Sequence, residues 1–88
     1  MYINGLEVTA NKKSVMINKR GAIILNMLND EYPLMVSKKR LMSENYIFSS
    51  GTFRSTLSIL RSKLEPLVGV EIVTHHGAGC ALRIKTID

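Results

Sequence analysis

Hydrophobic positions recur along this 88-residue chain with two different periods, and the places where the period changes mark out its elements. Near the start Leu6 and Val8, then Val15 and Ile17, alternate with polar neighbours on either side of the turn-rich Ala10-Asn11-Lys12-Lys13. Alternation of this kind predicts a small, half-buried β-hairpin. The pair Asn4-Gly5 offers a second turning point, between Tyr2-Ile3 and Leu6, so the strand limits here stay open. After Asn18, a suitable N-cap, the spacing widens: Ile24, Leu25 and Leu28 recur as one face of a helix, and Ile23 and Met27 broaden it. This helix is expected to reach about Leu28 and to be ended by Asn29-Asp30-Glu31-Tyr32-Pro33, because a residue before proline is pushed out of the helical region.

A second helix is predicted after the N-cap Ser37, running to about Glu44 and burying Leu41 and Met42. The strongest pattern is SSGTFRSTLSILRSKL, residues 49–64, where Phe53, Leu57, Leu60 and Leu64 fall within roughly a 60° arc at about 100° per residue. Pro66 and Gly69 close this third helix. Val70, Ile72 and Thr74 then alternate outward and Cys80, Leu82 and Ile84 return, around the tip His75-His76-Gly77-Ala78-Gly79, whose glycines permit a tight turn. Between the second and third helices, 45–50 carries Tyr46, Ile47 and Phe48 in succession. Three such residues in a loop either fold back onto the core or form an exposed contact patch for another protein.

Charge sharpens this outline. The formal net charge is +5 and the pI about 9.7, which favours an acidic partner, nucleic acid first and an anionic membrane or acidic protein second. The polar side of the third helix carries Ser55, Ser58, Ile59 and Ser62, with Arg54 and Arg61 on one edge and Lys63 on the other. No acidic residue occurs between 49 and 64, so phosphate could approach closely. The second helix opens with Lys38-Lys39-Arg40, cations placed where the helix dipole prefers anions at a cost of a few tenths of a kcal/mol each. They either meet phosphates or form an ordinary solvated face.

The remaining chemistry is sparse. With 45% hydrophobic residues, 1–88 is expected to fold as one domain around its own core. The single Cys80 excludes an internal disulfide and fits a reducing cytoplasm. No apolar run approaches the ~20 residues needed to span a bilayer, and MYINGLEV is not a signal peptide, so a cytoplasmic protein without a membrane partner is expected. His75, His76 and Cys80 are the residues a metal would use, but neighbours on a strand point to opposite faces and no carboxylate is near in sequence. Neither a metal nor a cofactor is expected. The seven acidic residues are scattered, and no Ser-His-Asp, Cys-His or phosphate-loop arrangement can be assembled, so catalysis is not expected either. A histidine at a hairpin tip has another use, because a protonated imidazole can enter a minor groove or touch a phosphate.

Hairpin, three helices, hairpin is the order of an α+β winged helix-turn-helix. Over residues 6–84 the chain resembles the OmpR/PhoB-type winged-helix DNA-binding domain, the effector half of many bacterial response regulators. Three blocks carry the resemblance: Val36-Ser37-Lys38-Lys39-Arg40-Leu41-Met42 at the second helix, Gly51-Thr52-Phe53 with Leu57-Ser58-Ile59-Leu60-Arg61-Ser62-Lys63-Leu64 at the recognition helix, and 72–80 at the wing. The resemblance implies promoter binding, often as dimers on direct repeats, with 45–50 touching RNA polymerase. It would put Ser55, Thr56, Ser58, Ile59 and Arg61 at or beside the major groove and Thr74 and His76 at wing contacts, with Thr52 a further DNA-binding candidate.

The chain also departs from the family. Gly51 stands where an arginine is usual, Ser58 and Ile59 replace positions often polar or basic, His76 replaces the wing arginine, and Cys80 replaces a tyrosine. Neither serine nor isoleucine can make the bidentate arginine–guanine contact, which is worth ~1–3 kcal/mol of discrimination. The N-terminal sheet looks shortened to one hairpin and no receiver domain is expected, as in a small bacterial or phage-encoded regulator. The leading expectation is therefore a duplex-DNA-binding transcriptional regulator. In it Lys38, Lys39, Arg40, Arg54, Arg61 and Lys63 hold phosphates, and Ser55, Ser58 and Ile59 face base edges. The alternative is a protein-interaction module that uses Tyr46, Ile47 and Phe48, or Ile59, to contact RNA polymerase or another host factor.

Overall fold

The computed structural model describes residues 1–85. In chain order these form β1 (Tyr2–Asn4), β2 (Glu7–Ala10), β3 (Lys13–Met16), α1 (Lys19–Glu31), β4 (Val36–Ser37), α2 (Lys38–Glu44), α3 (Ser50–Leu64), β5 (Val70–His75) and β6 (Gly79–Ile84). The strands make two three-stranded antiparallel sheets, β1-β2-β3 and β4-β6-β5.

Both N-terminal turning points are used, so the first sheet is a three-stranded meander and not the single hairpin expected. Gly5, at φ +61°, reverses the chain between the paired Asn4 and Glu7. Asn11 and Lys12, at φ 49° and 67°, form a two-residue loop between the paired Ala10 and Lys13. Two consecutive positive φ angles match the right-handed twist of the flanking strands. Val8 and Ile17 are buried and Val15 partly so, whereas Leu6 sits at the first turn and is exposed.

All three helices begin at side-chain caps. Asn18 Oδ1 accepts from the Gly21 N–H at 2.7 Å, Ser37 Oγ from the Arg40 N–H at 3.1 Å, and Ser49 Oγ from the Thr52 N–H at 3.1 Å. The first helix continues to Glu31, past the expected Leu28, because Pro33 restricts only the residue immediately before it, and Tyr32 is the C-cap. That extra turn brings Glu31 to α2.

One core joins the layers: Ile24, Leu25 and Leu28 of α1, Leu41 of α2, Phe53, Leu57, Leu60 and Leu64 of α3, and Val8, Val36, Cys80 and Leu82 from the strands. The unexpected element is β4, whose two residues pair with β6 as Val36↔Cys80 and Ser37↔Gly79. This pairing is close enough to demand glycine at 79, since a Cβ there would run into the Val36 carbonyl oxygen and lie 2.9 Å from Ser37 Cα. Gly79→Ala is accordingly expected to lower stability by about 1–3 kcal/mol in urea unfolding, as overpacking does. Gly51→Ala is the control: a Cβ at Gly51 meets nothing within 4 Å, and alanine there is expected to be neutral or slightly stabilising.

Candidate nucleic-acid interface

The amphipathic division of α3 is realised as its pattern predicts. Phe53, Leu57, Leu60 and Leu64 are buried, and Thr52, Arg54, Ser55, Ser58, Ile59, Arg61, Ser62 and Lys63 are exposed. Thr56 is a correction. It lies on the buried side, with its Oγ1 donating to the Thr52 carbonyl at 2.8 Å, and so has no place beside a groove.

The β5–β6 hairpin stands alongside α3 and is tied to it by Arg61. Arg61 Nε donates to the Ile72 carbonyl at 3.3 Å, and its terminal nitrogen donates to Thr74 Oγ1. The guanidinium thus holds helix and hairpin at a fixed spacing. Between them is a cleft of about 150 Å³ on which Lys38, Arg54, Arg61, His75 and His76 converge; among the described residues no carboxylate lines it. Lys38 Nζ also donates to Ser50 Oγ at 3.1 Å, joining the start of α2 to the start of α3. The hairpin tip is held by the Ala78 N–H donating to the His75 carbonyl at 2.9 Å, with Gly77 at φ +75°.

The C-terminal domain of the nisin resistance regulator NsrR, a lantibiotic response regulator, superposes on this chain with a TM-score of 0.78 at 21% identity, covering 92% of this chain and 88% of that one. The fold is a winged helix-turn-helix. No protein-family model matches the chain, and no curated protein does. At this identity the likeness establishes the fold, in which α3 occupies the recognition-helix position and β5–β6 the wing.

Within the winged helix the expected cations separate. Lys39, Arg54 and Lys63 are exposed and form no ion pair among the described residues. Arg40 does, so its charge is drawn into the protein's own ion pairs: it reaches Glu31 Oε1 at 2.9 Å and Glu44 Oε1 at 3.7 Å. The hydrogen bond that the guanidinium donates to Glu31, reinforced by the charge of both carboxylates, raises its pKa. Thr74 and His76 are exposed on the wing, but the Thr74 hydroxyl already serves Arg61.

The loop between α2 and α3 divides its apolar residues. Ile47 is buried, its N–H donating to the Met42 carbonyl at 2.9 Å, so its place in a protein-contact loop is also corrected. Asn45 pins the turn from inside, donating to the Leu41 carbonyl at 2.8 Å. Tyr46, in the left-handed region at φ 55°, and Phe48 point outward, 77% and 89% exposed. The double variant Tyr46→Ala/Phe48→Ala is expected to leave thermal stability within about 0.5 kcal/mol, as exposed side chains without partners do.

Cys80 faces the core under the wing. Burial pushes its thiol up, against a hydrogen bond from Thr74 and the nearby charge of Arg61, so it is held as a neutral thiol at neutral pH. Among the described residues no three His, Cys, Asp or Glu side chains are grouped to hold a metal, and no helix is long and apolar enough to cross a membrane.

The Arg61 clamp and the withdrawal of Arg40 were not foreseen. Both depend on a partner distant in sequence. The one local hint was Glu44, four residues after Arg40, the spacing of a helical ion pair.

Proposed function

We propose that this chain is a double-stranded-DNA-binding transcriptional regulator of the cytoplasm, with α3 in the major groove and the wing on the adjacent backbone or minor groove. The observation that carries this reading is the cleft between α3 and the wing, on which five basic side chains converge with no carboxylate among the described residues, beside a helix face of serines. Helix-in-groove docking needs that combination: small residues for close approach and cations at the rim. Lys39, Arg54 and Lys63 hold phosphates, assisted by Lys38 at the start of α2 and Thr52 in the first turn of α3. Ser55, Ser58 and Ile59 face base edges. Thr74 and His76 form the wing contacts, and Arg61 positions the wing while turning its remaining N–H groups to the backbone. The NsrR domain belongs to a response regulator, which supports a regulatory role here as well. A pair of copies on a direct repeat is what the resemblance to the OmpR/PhoB-type domain implies.

A second reading rests on Tyr46 and Phe48, the two most exposed large apolar residues described. On this reading the winged helix is an interaction module that places these two rings against RNA polymerase or another host protein, with no DNA contact. An electrophoretic shift assay with random and promoter duplexes at two salt concentrations separates the two. The DNA reading expects a shift at low salt that weakens steeply as salt rises, because each neutralised phosphate releases counterions. No shift with any duplex at low salt removes it and leaves the protein module.

A further inference from the structure

Ile59 is 49% exposed in the middle of α3 and takes no part in the hydrophobic core. Its exposed neighbours one turn away are Ser55 and Ser62, with Ser58 beside it and Lys63 four residues on. Serine hydroxyls donate or accept and so bond to any base edge, which makes them poor discriminators. The arginines, which could discriminate, are drawn elsewhere: Arg61 is bonded to the wing, and Arg54, seven positions earlier on the same flank, lines the cleft toward the wing. Ile59 is therefore the one side chain at the centre of this face with a strong chemical preference.

We infer that Ile59 is a specificity-determining residue that recognises the 5-methyl group of a thymine in the major groove. This rests on the DNA-binding reading and goes beyond it by naming the base and the group read. In the major groove guanine, cytosine and adenine present polar atoms, and only thymine offers an apolar one. Isoleucine over a polar edge strips its water without returning a hydrogen bond, so the wrong base is penalised as well as the right one favoured. The β-branched side chain is stiff at χ1 and loses little freedom on docking. Lysines and arginines at the rim match phosphate, which argues for a base edge and against an apolar protein groove as the occupant.

The test begins with duplexes selected by the wild-type protein from a randomised pool. Each thymine is then replaced singly by deoxyuridine, which keeps every hydrogen-bonding group and removes only the methyl. At one thymine per bound α3 the change is expected to weaken binding by about fourfold, the worth of one buried methyl. With Ile59→Ala, a substitution at an exposed position whose folding is checked by circular dichroism, that penalty is expected to vanish. The inference is overturned if no thymine is sensitive, or if the penalty is undiminished in Ile59→Ala, which would place methyl recognition elsewhere. It is equally overturned if Ile59→Ala leaves every DNA measurement unchanged but abolishes capture of RNA polymerase. A pool that returns no bound duplex refutes the DNA reading itself, an outcome distinct from the others.

Discussion

Leu60→Ala is expected to cost about 2–5 kcal/mol of folding stability, the range for truncating a buried leucine whose site cannot collapse. Leu60 is 2% exposed, on the buried arc of α3. It packs against α1 at Gly21, where an added Cβ would sit 3.1 Å from Leu60 Cδ1, so truncation to alanine leaves a void at the α1–α3 contact. Against a typical margin of about 5–15 kcal/mol this is a large share. The functional consequence follows from the same contact, because Leu60 lies between Ile59 and Arg61 and fixes how the exposed face is presented. Urea unfolding followed by circular dichroism gives the number. A loss below about 1 kcal/mol, outside the range for such a cavity, would mean that α3 is not anchored as described.

The second large effect concerns charge. Replacing Lys39, Arg54 and Lys63 together by Gln is expected to make the dependence of log K on log salt shallower by roughly 2.7, three contacts at about 0.9 each. All three side chains are exposed and unpaired among the described residues, so folding should be little affected. Arg40→Gln is the informative control. Its charge is already engaged by Glu31 and Glu44, and the slope is expected to stay as in the wild type. Fluorescence anisotropy with a labelled duplex across a salt series measures both. A triple variant with the wild-type slope, or Arg40→Gln with a reduced one, would show that the cations have been assigned the wrong way round.

Much of this architecture is written in local patterns. The arc of Phe53, Leu57, Leu60 and Leu64 is visible because a helix repeats every 3.6 residues, and the caps Asn18 and Ser37 because short polar side chains there satisfy free N–H groups. The wing register follows from Val70 and Ile72 pairing with Ile84 and Leu82 around a glycine-bearing tip. Features made by distant residues were not legible. A strand of two residues, Val36–Ser37, has no period to detect, and its partner lies more than forty positions away. Tyr46, Ile47 and Phe48 look alike in composition, and only the packed loop decides that the middle one turns inward. Arg40 was expected to hold phosphate because it belongs to the cationic first turn of α2; the extension of α1 to Glu31 supplies the carboxylate that pairs with it. Of the proposed interface, the exposed face of α3 could be read in advance, whereas the Arg61 clamp required the hairpin in place.

Tethered cleavage tests the docking geometry most directly. Cys80 is fully buried, so an iron–EDTA reagent can be attached selectively through Ser58→Cys on α3 or, as control, Tyr2→Cys on the other sheet, where the side chain is 66% exposed. The reading proposed here predicts strand scission confined to one major-groove window from position 58 and none from position 2. Equal cleavage from both positions, or scission from position 2 alone, would contradict it.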